Sequence, residues 1–212
     1  MLLALEKINV LEGQTLVIND LNWQQFEQIL EELGEHRHSK IAYNQGTLEI
    51  MSPLPAHEKS KIYISTLVEI ILEELDIDFC PLGSTTFKSE LLNKGIEPDN
   101  CFYIKNQALI RDKERLDLTI DPPPDLALEI DLTSRTNIEI YQALAVPELW
   151  RFEKGNLQIN VLENNQYIQQ EFSPLFPQIP INKLIIEYLN KFTQDGRNKT
   201  VKAFRALIKK YV

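Results

Sequence analysis

Long apolar runs are missing from this 212-residue chain, and none approaches the ~20 residues that a membrane-spanning helix needs. A protein of that type is therefore not expected. The opening MLLALEKINVLEGQ lacks a basic leader region and a small-residue cleavage site, so no signal peptide is read there. Cysteine is scarce. Cys80 and Cys101 stand apart, with no CxxC and no neighbouring histidine cluster, which argues against zinc and for two free thiols in a reducing cytoplasm. The chain also has no G-x-S-x-G, no P-loop and no Rossmann glycine pattern, so no organic cofactor is expected. Repeats, low-complexity tracts and Gly/Ser linkers are absent too, and residues 1–212 read as a single domain.

What is present is an ordinary folded composition, 43% hydrophobic and 25% charged. The net charge of −9 excludes general coating of nucleic acid, which needs clustered Lys and Arg. The charge is uneven, however. From Lys191 onward there are seven Lys/Arg against one acid, Asp195, so the remaining chain is more acidic than the total. A basic segment on an acidic body is compatible with a local nucleic-acid contact.

The pattern of elements is mixed. QTLVIND reads as a strand, with Asp20 placed to cap the helix LNWQQFEQILEEL and Gly34 placed to stop it. IAYNQGTLEIM reads as a hairpin. A long helix follows over about 56–75, with Ile64, Leu67, Val68, Ile71, Leu72 and Leu75 as its buried stripe. Residues 77–88 look strand-like, and a connection containing Gly95 leads to the strand EPDNCFYI. A polar stretch of mixed charge precedes DPPPDLALEIDL, whose three prolines force an extended entry to a strand buried on both faces. A short helix over 136–144, the strand ELWRF, a hairpin around Asn164-Asn165 and two closing helices complete the chain. This order predicts an α/β fold with a mixed central sheet flanked by helices.

The chemical signal is an acid at the start of one strand, Asp99 after Pro98, and another inside the next, Glu129 in ALEID. Two carboxylates on adjacent strands can converge on one hard cation such as Mg²⁺. Such an ion polarises a phosphate and activates a bound water. Glu58, near the start of the long helix, is a candidate third oxygen ligand. The alternative is that these acids are solvated strand ends or partners of a helix dipole.

Three blocks, GSTTFKSELLNKGIEPDNCFYI, DPPPDLALEIDLTSRT and IYQALAVPELWRF, together resemble the Uma-type restriction-endonuclease family, abundant in cyanobacteria, within the PD-(D/E)xK nuclease superfamily. The likeness covers about residues 15–190. It implies a restriction-endonuclease-like core over about 56–152, a helical appendage over about 180–212, dependence on Mg²⁺ or Mn²⁺, and hydrolysis of DNA. By position, Asp99 matches the acid of the PD element, Glu129 the (D/E), and Glu58 the helix acid. His57 stands where family members often carry a histidine. A homodimer is expected because double-strand cutters of this fold often pair two sites.

One departure matters. Two residues after Glu129, where the superfamily has lysine, this chain has Asp131. A lysine there would orient the attacking water and offset developing charge. Asn137, four places before Tyr141, is also not basic. Arg135 is the nearest surviving cation and Lys88 a second candidate. A nuclease-fold binding or assembly module without catalysis is therefore the alternative function; a metallohydrolase acting on other substrates has nothing in its favour.

Other residues have plain readings. His57 could meet substrate or tune a bound water, or could face solvent at a helix start. His36 and His38 read as solvated, Tyr141, Trp150 and Phe152 as core aromatics, and Thr133 and Ser134 as caps. The basic C-terminal helix reads as amphipathic packing on its own domain or a second subunit, with DNA contact as the alternative.

Overall fold

In the computed structural model, which describes residues 8–34, 39–132 and 137–211, the alternation in IAYNQGTLEIM produces the expected hairpin. β2 (Lys40–Asn44) pairs antiparallel with β3 (Thr47–Met51), and Gln45 and Gly46 at the turn both have positive φ. β1 (Thr15–Ile18) pairs with β3. The helix α1 (Trp23–Leu33) buries Phe26 against Ile41, Tyr43, Leu48 and Ile50. Its cap is Asn22 and not Asp20. The Asn22 side chain accepts from the Gln25 N–H while the Gln25 side chain accepts from the Asn22 N–H, so two backbone donors at the helix start are satisfied reciprocally. Gly34 ends the helix with φ 69°, as expected.

The connection containing Gly95 is itself a strand. β6 (Lys94–Ile96) lies between β2 and β5 (Phe87–Ser89), giving a five-stranded sheet in the order β1-β3-β2-β6-β5. Glycine is needed there for space: a Cβ on Gly95 would come within 2.9 Å of Phe26 Cζ. Phe26 cannot easily retreat, because its ring stacks on Tyr43 at 4.3 Å between centroids.

The second sheet is the expected mixed one. It runs β11-β10-β9-β8-β7-β4, built from β4 (Cys80–Pro81), β7 (Asn100–Tyr103), β8 (Leu126–Asp131), β9 (Glu148–Glu153), β10 (Asn156–Glu163) and β11 (Gln166–Gln170). β8 and β9 are parallel, joined through α4 (Ile138–Ala143), and the other pairs are antiparallel. The strand-like stretch 77–88 thus resolves into two short pieces, β4 and β5, in different sheets. The polar stretch holds one turn of helix, α3 (Gln107–Ile110), which its composition did not announce.

All six residues of β8 are buried. Leu126, Leu128 and Ile130 pack with α2 (Pro55–Glu74), α5 (Ile181–Asp195) and α6 (Arg197–Ile208), while Ala127 faces Ile140 and Tyr141 of α4. The α2 stripe is buried from Ile64 to Leu72, with Leu75 partly so. α6 packs on its own chain through Phe204 and Ile208. Its cations are largely engaged: Arg205 bridges Glu73 and Glu74, and Lys199 pairs with Asp195. Glu73 lies roughly 24 Å along α2 from His57 at ~1.5 Å per residue, so this ion-pair cluster clamps the far end of the helix. No helix among the described residues is long and apolar enough to cross a membrane.

The chain changes sheets at Glu97-Pro98-Asp99. The Glu97 N–H still donates to Ile41 of β2, whereas the Asp99 N–H already donates to Leu128 of β8. Pro98 has no N–H and sits where neither ladder requires one.

Gly95→Ala is expected to lower stability by about 1–3 kcal/mol in urea denaturation, because the new methyl overpacks against Phe26. Adding Phe26→Leu should cost less in the Gly95→Ala background than in the wild type; additive losses would show that the close approach is harmless.

Candidate functional site

The β7–β8 register pairs Asn100 with Leu128, and one step further it sets Asp99 opposite Glu129. Both side chains belong to the face of the sheet that carries Cys101 and Ala127, and both are buried. Like charges directly opposite one another are destabilising. The compensation comes from the other sheet. Lys40, the first residue of β2, donates to Asp99 Oδ1 at 2.7 Å and to Glu129 Oε2 at 2.9 Å. It reaches them because β2 is laddered to Glu97 across the sheet switch, two residues before Asp99. The backbone crossover that places the acid also delivers its counter-ion.

The remaining carboxylate oxygens are held as well. Asp99 Oδ2 accepts the Ile130 N–H at 2.6 Å, and His57 Nε2 lies 3.2 Å away without the alignment of a hydrogen bond. Glu129 Oε1 accepts the Tyr141 hydroxyl. Burial favours neutral Asp99, but Lys40 and then His57 outweigh it and hold the carboxyl well below the usual range. Burial dominates at Glu129, with the Asp99 charge assisting against Lys40 and Tyr141, and raises its pKa to about 7. Burial opposes a charged Lys40 ammonium, yet Asp99 and Glu129 together prevail and raise its pKa. His57 is likewise raised: Asp99 and Glu58 overcome burial and the opposing charge of Lys40.

Among the expected site residues, Asp99 and Glu129 are brought together. Glu58 is not at their shared point. It is part-exposed on the first turn of α2, 3.3 Å from His57 Nδ1 and 3.4 Å from Lys61, and connects to Asp99 only through the imidazole. His57 itself is buried, contrary to the solvent-facing reading. Lys88 is not brought to the acids either: on β5 it is bound by both oxygens of Glu27 of α1, at 2.8 and 2.7 Å. Arg135, His36, His38, Thr133 and Ser134 lie outside the described residues. Asp131, in the place of the superfamily lysine, is buried and paired with Arg151 of β9, whose Nε donates to it at 3.0 Å. Among the described residues, no group of three or more His, Cys, Asp or Glu side chains is placed to hold a metal ion.

Three contributors went unrecognised in the sequence: Lys40, Tyr141 as a polar group, and Arg151. Lys40 stands 59 and 89 residues from its partners, so no local motif could reveal it. Tyr141 carried a usable signal, since a buried tyrosine hydroxyl requires a partner.

Lys40 and Glu97 stand between two cavities. One is an open cleft of about 1500 Å³, lined also by Glu58, Lys61, Thr86 and Lys88. The other is a small cavity of about 50 Å³, lined also by Glu129, Asp131 and Asn137. Glu97 is fixed between them, accepting from Thr86 Oγ1 at 2.5 Å and from the Ile41 N–H at 3.1 Å.

Comparison with known proteins bears on the family and the fold. The model of the Uma2 family, described as "Putative restriction endonuclease", matches residues 23–187. Among solved structures, one described as a "putative nuclease belonging to DUF820" from Anabaena variabilis ATCC 29413 superposes with a TM-score of 0.53. It shares 14% sequence identity, and the match covers 80% of this chain and 99% of that one. At that identity the likeness speaks for the fold. No curated protein matches.

Two measurements test the electrostatics. Because Glu129 keeps its proton up to about 7 in the folded chain, against an ordinary value of 4.5, its contribution to stability is present at low pH and fades as pH rises between those values. The melting temperature of Glu129→Gln relative to wild type, measured in chelator, should therefore climb from pH 4.5 to 7; a constant difference would count against the buried proton. Asp131→Lys places two cations together, so it should destabilise the fold by about 3–5 kcal/mol in denaturant titration. Unchanged stability would mean that the Arg151 pair carries little.

Proposed function

Since the chain belongs to the Uma2 family of restriction-endonuclease-like proteins, we propose that it hydrolyses DNA phosphodiester bonds with Mg²⁺ or Mn²⁺ held by Asp99 and Glu129. The observation behind this reading is the convergence of one oxygen from each carboxylate on a single point, now held by the Lys40 ammonium. The donor set suits such an ion, because Mg²⁺ takes one or two carboxylates and fills its remaining positions with water and phosphate oxygens. When bound, it would supply charge to the scissile phosphate and lower the pKa of a water.

The protein's own groups supply pre-organisation. The Ile130 N–H fixes one oxygen of Asp99, and the Tyr141 hydroxyl fixes one of Glu129, leaving the other two directed at the shared point. Glu58 and His57 connect Asp99 to the wide cleft, where Glu58 serves as an auxiliary acid. The cleft wall is not a basic surface: Lys61, Lys88, Lys113 and Arg115 alternate with Glu27, Glu31, Glu58 and Glu114. Strand affinity therefore depends on a few cations close to the acids. A homodimer would present two such sites to the two strands of a duplex.

The buried Asp131–Arg151 pair favours the second reading, a nuclease-fold module that binds without cutting, because that position offers no lysine. Plasmid incubated with purified protein and Mg²⁺ or Mn²⁺ separates the two. Cleavage that falls by about 100-fold or more in Asp99→Ala supports the nuclease. DNA binding without cleavage under all ions, unaffected by Asp99→Ala, supports the module.

A further inference from the structure

Lys40 occupies the one point that both acids address. Its Nζ takes Asp99 Oδ1 and Glu129 Oε2, while the other two oxygens are committed to Ile130 and Tyr141. A divalent ion bound where the two acids converge would use the oxygens that Lys40 now holds. Two cations at that one point repel strongly, so the arrival of such an ion favours departure of the ammonium.

The surroundings allow that departure. The Lys40 backbone is anchored at the start of β2, where it pairs with Met51. Its charge sits at the end of a flexible four-carbon stem. The residue lines both the small cavity on the Glu129 side and the wide cleft, so the side chain borders open space into which it can rotate. A second, independent observation concerns His57. Its Nε2 is buried and faces Asp99 Oδ2 at 3.2 Å, so a second basic group stays beside the acid pair when Lys40 withdraws.

We infer that Lys40 is the exchangeable cation of this site and a catalytic residue: it neutralises Asp99 and Glu129 in the absence of a divalent ion, and on exchange turns into the cleft to contact the DNA phosphate. This rests on the nuclease reading above. It places the missing lysine on the neighbouring sheet, outside the segment that carries Asp131. In the cleft the ammonium donates to a non-bridging phosphate oxygen and offsets the charge that grows there. Lys40 keeps its proton throughout. The water oxygen bonds to phosphorus, the ester P–O bond breaks, and the protons released by water pass to the leaving oxygen and to solvent.

The test uses full-length wild type and Lys40→Met. Calorimetric titration with MnCl₂ and no DNA should show Mn²⁺ binding at least about tenfold tighter in Lys40→Met, because the competing charge is gone. Plasmid cleavage by the variant should fall by about 100-fold. In the wild type, acetylation of Lys40 read by mass spectrometry should be weak in chelator and rise several-fold with saturating Mn²⁺. Equal or weaker Mn²⁺ binding in the variant overturns the inference. So does Lys40 acetylation that ignores saturating Mn²⁺, a measurement that holds even if the variant does not fold. Tighter binding with normal cleavage refutes the phosphate contact and leaves the nuclease reading intact. Metal exchange without cleavage by either protein refutes the nuclease reading and the phosphate contact while leaving the exchange. No Mn²⁺ binding by either protein overturns both.

Discussion

Two carboxylates buried opposite each other on neighbouring strands would repel, and one ammonium from a different sheet makes their pairing tenable. That constraint explains much of the surrounding architecture. The strand carrying Asp99 has to leave the first sheet at Glu97 and enter the second at Asp99, with Pro98 as the only residue between. Only then does β2, still bonded to Glu97, bring Lys40 within reach of both acids. The backbone N–H of Ile130 and the hydroxyl of Tyr141 complete the arrangement by holding the outer oxygens. Removing charge from a buried pair costs more than the pair itself is worth, because the surviving charge is left without a partner. Asp99, Glu129 and Lys40 therefore behave as one unit.

Much of this was legible from the residues in order. The hairpin at Asn44-Gln45-Gly46, the α2 stripe, the buried β8 and the mixed sheet all follow from periodicity and turn chemistry, which act over a few residues. Asp99 and Glu129 were also legible, since each sits in a short motif within a recognisable strand. The short strands were not. β4, β5 and β6 have two or three residues each and owe their pairing to tertiary neighbours. Lys40 was hidden for a related reason: a lysine at the start of a half-buried strand looks like any solvated edge residue until the second sheet is folded against it.

The positive charge that stood out in the sequence is not the charge that meets the acids. The C-terminal cluster is largely spent on carboxylates of α2 and α5, at the opposite end of α2 from His57. Lys88 is spent on α1. The useful cation is an isolated one, and what distinguishes it is burial beside two acids. Local charge density thus measures how a helix is clamped to its own fold, and says little about where chemistry occurs.

The passage from Ile96 to Asp99 has a further consequence for how such chains can vary. Side chains alternate between faces along a strand, so one extra residue between Ile96 and Asp99 would turn the acid toward the α2 side of the sheet and away from Glu129. A deletion would do the same. Length in this segment is therefore far less negotiable than composition. The turn at Asn164-Asn165, between β10 and the edge strand β11, carries no such restriction and can be lengthened with little effect on the site.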